Sequence, residues 1–132
     1  MTYALDTNTL IYFFKGMGRV GERLLACPPQ EIAIPAITLY ELETGLAKSA
    51  EPEKRRRQLS QMLAAVKILP FGAAEARQAA QIRAALEQQG TPIGPYDTLI
   101  AATALAQQAT LVTHNTAEFS RVAGLQIVDW YV

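Results

Sequence analysis

One cysteine, Cys27, and one histidine, His114, are all that 132 residues offer toward disulfides or soft metal sites. A lone cysteine closes no intrachain bridge, and no Cys/His cluster with zinc spacing exists. Neither sign of charge is in excess, since twelve Lys+Arg balance twelve Asp+Glu. A protein that binds by neutralising many phosphates would be strongly basic, so a nucleic-acid coat protein is excluded. An enzyme that meets nucleic acid through a local patch is not. Long apolar runs are missing too. Residues 10–14 form the longest early one, far short of the ~20 residues a membrane span needs. The N-terminal segment carries Asp6 in place of a charged-then-apolar secretion signal. These absences predict a reducing, cytoplasmic setting and no membrane. Apolar side chain is what abounds. It makes up half of the chain, enough to fill a core without staples. The length predicts one domain over residues 1–132.

Strand-like and helix-like segments alternate. Residues 3–5, 32–34, 66–71, 110–113 and 126–130 read as strands. Residues 9–15, 22–26, 35–48, 51–65, 73–89 and 95–108 read as helices, with the aromatic and β-branched content of 9–15 leaving a strand open there. Proline at 35 and 95 suits a first helical turn, and Gly90 a C-terminal stop. Short strands that are apolar throughout, separated by helices, predict an α/β fold with a parallel sheet sandwiched between helices. Function in such sheets collects at the carboxyl ends of the strands.

Acidic residues stand where that rule points. Asp6 directly follows the first strand, although a helix N-cap alone would justify it. Glu41 lies in the helix after the second strand, and the helical repeat puts it on one face with Thr38 and Gly45, beside an apolar stripe of Leu39, Leu42 and Leu46. A solvated glutamate is the bland alternative, and it is assumed for Glu43. Asp97 sits in a first helical turn, where the dipole favours a carboxylate. The stiff Gly94–Pro95 turn and the alanines at 101, 102 and 104 would aim it rigidly. After the fourth strand, Asn115 offers an amide oxygen and Glu118 a carboxylate one turn later, with Phe119 pinning the segment to the core. Each position alone has a structural explanation; together they predict like charges at one sheet edge. Such a cluster raises its own pKa values unless a cation joins it. Hard oxygen donors select Mg²⁺ or Mn²⁺, and metal-assisted phosphodiester hydrolysis follows.

Leu5-Asp6-Thr7-Asn8, Ile37-Thr38-Leu39-Tyr40-Glu41-Leu42 with Gly45, Pro95-Tyr96-Asp97-Thr98-Leu99-Ile100-Ala101-Ala102, and Leu111 through Phe119 resemble, in order and spacing, the motifs of PIN-domain ribonucleases. The chain as a whole is similar to the VapC toxins of bacterial type II toxin–antitoxin pairs. The resemblance implies a Mg²⁺-dependent endoribonuclease with Asp6, Glu41 and Asp97 as the acidic triad. The family often has an aspartate after the late strand, where this chain holds Asn115, so Glu118 is expected to supply the fourth charge. Thr7, Asn8 and Thr38 are implied as hydrogen-bonding supports. The resemblance also implies a homodimer and a cognate antitoxin whose C-terminal segment covers the site. It implies an RNA substrate such as tRNA cut in the anticodon loop, initiator tRNA being the specific guess.

Basic residues are sparse. Lys15, Arg19 and Arg23 form a patch near the first loop and are assigned to substrate, with His114 meeting RNA from its loop. The run Lys54-Arg55-Arg56-Arg57 reads first as a solvated helix face paired with Glu51 and Glu53, and second as a phosphate grip. Gly16-Met17-Gly18-Arg19-Val20-Gly21 matches a dinucleotide fingerprint, but Pro28 leaves too little room for its crossover helix. Asn8 cannot act as the acid that a phosphoaspartyl hydrolase needs two residues after its nucleophile, and one histidine cannot serve as both acid and base. The non-enzyme rival is an interaction module whose acidic pocket binds a basic peptide.

Overall fold

The computed structural model describes residues 1–132. Five strands, β1 (Tyr3–Leu5), β2 (Ile32–Pro35), β3 (Lys67–Leu69), β4 (Thr110–Val112) and β5 (Ile127–Val128), form one sheet in the order β3-β2-β1-β4-β5. Every neighbouring pair is parallel. Seven α-helices connect them: α1 (Thr7–Lys15), α2 (Val20–Leu25), α3 (Ala36–Ala47), α4 (Glu53–Ala65), α5 (Ala73–Gln88), α6 (Pro95–Ala106) and α7 (Thr116–Phe119). None is long and apolar enough to cross a membrane.

The period of two along the strands sorts the core onto two faces. Ala4, Ala33 and Leu111 pack with Ile82 and Leu86 of α5 and with Ile100, Ala101, Ala102 and Ala104 of α6. Leu5, Ile32, Ile34 and Val112 pack on the other side with Leu10 and Phe14 of α1, Leu42 and Leu46 of α3, Leu59 of α4 and Trp130. Alanine against alanine lets α6 lie close to the central strands, as the small residues at 101, 102 and 104 predict.

Boundaries differ from the sequence reading in ways that have local causes. Residues 7–15 are a helix throughout, since Asp6 caps it by accepting the Thr9 N–H at 2.9 Å, and the strand alternative is excluded. With it goes the dinucleotide reading, because the glycines at 16, 18 and 21 then follow a helix. Helix α2 begins at Val20, two residues earlier than expected, with Val20 buried as its anchor. Pro35 ends β2 and precedes α3. The third and fifth strands are shorter than the apolar runs that encode them, because both lie at sheet edges and have one partner each. At the start of α5 the Glu75 carboxylate reaches back to the Gly72 N–H at 2.7 Å.

The C-terminal segment is fastened by glycine. Gly18 has φ +61°, and a Cβ there would stand 2.7 Å from the Tyr131 ring and 2.8 Å from its carbonyl oxygen. That carbonyl accepts the Arg19 N–H at 2.9 Å. Gly18→Ala therefore combines left-handed strain with a clash and should cost about 1–3 kcal/mol. Urea unfolding of the variant beside Gly16→Ala, where an added Cβ meets nothing within 4 Å, checks that the excess comes from Tyr131.

Candidate active site

From β1 the chain moves outward through β2 to β3, then returns to place β4 on the other flank of β1 and β5 beyond it. The carboxyl ends of β1 and β4 are thus the switch point of a doubly wound sheet, where a crevice opens. Asp6 leaves β1 there, and Thr113, His114 and Asn115 leave β4.

Buried threonines hold this edge together. Thr38, in the first turn of α3, donates its hydroxyl to the Leu5 carbonyl at 3.1 Å, and Thr9 donates to the Val112 carbonyl at 3.1 Å. The Val112 carbonyl also accepts the Asp6 N–H at 3.2 Å, so Thr9 adds a second donor there and ties α1 to β4. Thr38 consequently lies with the buried stripe Leu42 and Leu46. This corrects the expectation that it shares an open face with Glu41 and Gly45. It supports the site from beneath, through the residue before Asp6.

Asp6 is buried and accepts the Thr9 N–H through Oδ1. Burial raises its pKa most, the Thr113 hydroxyl and Thr9 pull it down, and the Glu41 charge adds to the rise. Glu41 on α3 accepts the Thr7 hydroxyl at 2.6 Å. Glu118 on α7 accepts the Asn115 side-chain Nδ2–H at 2.8 Å, which leaves the Asn115 amide oxygen unengaged. Asp97, in the first turn of α6, has no hydrogen-bond donor of its own. Its pKa is raised to about 6, first by burial and then by the charges of Asp6, Glu118 and Glu41. Asp97 thus lies within electrostatic reach of the other three expected acids.

No lysine or arginine pairs with any of them. The ion pairs of the chain are Arg19–Glu22, Arg56–Glu43, Arg83–Glu87 and His114–Asp129. Nor are three acidic groups gathered around one ion-sized point. The carboxylates are hard oxygen donors with no protein cation paired to them, the donor type that divalent cations with retained waters take.

The remaining expected residues divide. Thr7 and Thr38 support the site, whereas Asn8 is exposed and makes no bond to a carboxylate. Lys15 lines a groove of about 490 Å³ with Glu41, Gly45, Ser49, Glu51, Lys54 and Arg55. Gly45 opens that groove, since a Cβ there would meet nothing within 4 Å. Arg19 is exposed and held by Glu22 at 3.0 Å, with no contact to the carboxylates. In the basic run Arg56 pairs with Glu43 at 3.5 Å, while Arg55 lies 5.1 Å over the Phe14 ring and donates to Gln58. The expected pairing with Glu51 and Glu53 does not form.

His114 stands at the same edge, its Nδ1 2.9 Å from Asp129 Oδ2 and its ring stacked on Tyr131 at 4.2 Å. Sequence reasoning missed Thr113 and Asp129. A polar residue ending the apolar run of β4 was the available signal for Thr113; Asp129, at the end of β5, had none but its place at a strand terminus.

Fold and site together define a class: an acidic centre of hard oxygen donors at the switch point of a parallel α/β sheet. The chain matches the PIN-domain family model over residues 3–125 and belongs to that family. It is 35% identical over 130 residues to the tRNA(fMet)-specific endonuclease VapC of Shigella flexneri, covering 98% of each chain. Ribonuclease VapC2 of Rickettsia felis is 38% identical over 132 residues, again with 98% of each covered. The crystal structure of Rickettsia felis VapBC2 bound to a promoter DNA fragment superposes with a TM-score of 0.91 at 36% identity, over 98% of this chain and 99% of that one.

The crowding at Asp97 has a measurable sign. Its folded pKa lies above the unfolded value, so protonation stabilises the metal-free fold. That stability is complete below the ordinary carboxylate pKa and is lost as the pH rises through about 6. In EDTA, Asp97→Asn should therefore melt higher than the parent at pH 7.5, with the gap narrowing at pH 5. Added Mn²⁺ should raise the parent's Tm and leave the variant's nearly unmoved. Thermal unfolding at the two pH values, with and without cation, reads both effects.

Proposed function

We propose that this chain is a metal-dependent endoribonuclease, the toxin of a toxin–antitoxin pair, acting as one domain over residues 1–132. The electrostatic reach of Asp6, Glu41 and Glu118 to Asp97, with no lysine or arginine ion-paired to any of the four, is the observation that supports this reading. The family resemblance narrows the chemistry, since PIN-domain ribonucleases are generally dependent on a divalent metal. Mg²⁺ is the proposed cofactor, with Mn²⁺ able to substitute. Asp6, Asp97 and Glu41 would hold it, and Glu118 with the Asn115 amide oxygen would complete the donor set. A bound divalent cation supplies a water of lowered pKa and charge stabilisation for the leaving oxygen of a phosphodiester.

The chain's own groups orient and admit. Thr9 N–H fixes the Asp6 carboxyl, Thr7 fixes Glu41, and Asn115 fixes Glu118. All three supports are neutral, so they aim the carboxylates without cancelling their charge. Asp97, whose pKa is raised to about 6, would hold the ion in its ionised form. Lys15, Lys54 and Arg55 line the groove that reaches Glu41, and they are proposed to carry the phosphates of the incoming strand. Each such contact fixes position without reading sequence.

The relatives' names support RNA as substrate, with tRNA and initiator tRNA as the specific proposal, and the neighbouring VapBC complexes support a cognate antitoxin as partner. A cytoplasmic location and a homodimer belong to the same proposal. The purified, antitoxin-free chain should cut a tRNA preparation at discrete positions in Mg²⁺, not in EDTA, and Asp97→Asn should make no cut. End-mapping then identifies the substrate. Absence of any cut, with no Mg²⁺ or Mn²⁺ binding by calorimetry, would leave the basic-peptide interaction module in its place. Lys15→Gln should lower the slope of log binding constant against log salt by about 0.7, as one phosphate contact on a single strand requires.

A further inference from the structure

Two large aromatic side chains stand uncovered beside the carboxylates. Tyr40 on α3 is 50% exposed and Tyr96 on α6 is 45% exposed. Each immediately precedes an acid of the site, Glu41 and Asp97 respectively. The rings lie 5.6 Å apart at 57°, and the hydroxyls meet at 3.3 Å. Neither hydroxyl has another partner, so the bond joins α3 to α6, the helices that carry Glu41 and Asp97. The other exposed large apolar residues, Met1, Met17, Leu25, Ile68 and Val132, make no comparable pair beside an acid.

Folding gives no reason to leave two phenyl faces in water at this place, and uncovered apolar surface beside a site marks a contact. The chemistry of the neighbourhood says what kind. A phosphodiester led to the carboxylates brings its flanking bases with it, and every base offers a π-face to an aromatic ring. An unpaired base is required, because a base inside a helix has both faces covered. A tilted pair of rings joined at the hydroxyls is a step rather than a slot, open on one side to a stacked base.

We propose that Tyr40 and Tyr96 form an aromatic ledge on which an unpaired base next to the scissile phosphate stacks, setting the register of a single-stranded RNA against Asp6, Glu41 and Asp97. The inference rests on the nuclease reading and adds substrate-positioning residues to it. The ledge makes the enzyme favour loops over duplexes, and it tolerates any base while favouring purines, which stack over more area.

The test uses the full chain and an RNA hairpin carrying the mapped cut in its loop. Tyr40→Leu and Tyr96→Leu keep bulk and hydrophobicity but remove the π-face; Tyr40→Phe and Tyr96→Phe keep the face and remove the hydroxyl. Each Leu variant should raise KM by about tenfold, the size of one lost base–aromatic stack, and the Phe variants should recover most of that loss. Removing the base beside the cut should impose the same penalty on the parent and no further penalty on the Leu variants. 2-Aminopurine at that position should lose fluorescence on binding the parent and keep it with the Leu variants. Mn²⁺ affinity by calorimetry should be the same in all, which separates a lost ledge from disturbed carboxylates. Equal KM for parent and Leu variants on intact RNA overturns the ledge while leaving the nuclease. So do Leu variants that sediment as monomers while the parent is a dimer and whose dependence on the base is unchanged, since a second copy of the chain then covers the rings. A parent that cuts no RNA overturns the nuclease reading, and the ledge falls with it.

Discussion

Placing β1 at the centre of the sheet, with β2 on one flank and β4 on the other, is the constraint from which the site follows. The connections leave β1 and β4 in opposite directions, so no loop crosses their carboxyl ends and a crevice remains. Residues that leave a strand at that edge, or that lie in a helix turn reaching it, are drawn toward the same edge although Asp6, Glu41, Asp97 and Glu118 stand 21 to 112 positions apart in sequence. Strand ends also expose carbonyls that the ladder does not use. Thr38 donates to the Leu5 carbonyl, and Thr9 adds a second donor to the Val112 carbonyl that the Asp6 N–H already engages, so these bonds fix α3 and α1 around the crevice.

Within that volume the chain tolerates an arrangement that costs stability. Asp6, Glu41 and Glu118 each have a neutral donor that holds the carboxylate, while Asp97 has none and bears the burden as a pKa of about 6. Its place in the first turn of α6 offsets part of the cost through the helix dipole. The rest is left standing, and the alanine-rich contact of α6 with Ala4 and Ala33 keeps the turn from moving away. A looser helix would relax the repulsion by retreating.

The architecture was legible because the strands are apolar on both faces and the helices between them carry proline starts and glycine stops. Element order alone points to Asp6, which follows β1, and to Glu118, in the helix after β4, whereas Glu41 in the second turn of α3 and Asp97 after α5 were singled out by helical position and motif. What periodicity could not show was burial. Thr38 reads as part of a polar helical face, yet its hydroxyl turns inward because the Leu5 carbonyl needs a donor, a demand that exists only once β1 and α3 are packed. Tyr40 and Tyr96 were invisible as a pair for a related reason. They belong to different helices 56 residues apart, and aromatic residues are read as core until something shows them uncovered. The basic run misled similarly, since Arg56 finds Glu43 on another helix rather than the acids next to it in sequence.

The placing of the cations completes the electrostatic argument. Arginine or lysine beside the four carboxylates would have lowered their pKa values and stabilised the fold, but would have occupied the position a divalent ion needs. Neutral threonine and asparagine donors orient the same oxygens and leave the field negative. That field repels the phosphates of the proposed substrate as strongly as it attracts a metal ion, so a route of positive charge has to begin outside it. Lys15, Lys54 and Arg55 lie along the groove that runs to Glu41, and Arg55 is kept there by Phe14 and Gln58 rather than by an acid. The near-zero net charge of the chain is then no argument against an RNA substrate. With acids at the switch point and three basic residues along the groove that reaches Glu41, one small domain would hold a cation and receive a polyanion at neighbouring places under the proposed function.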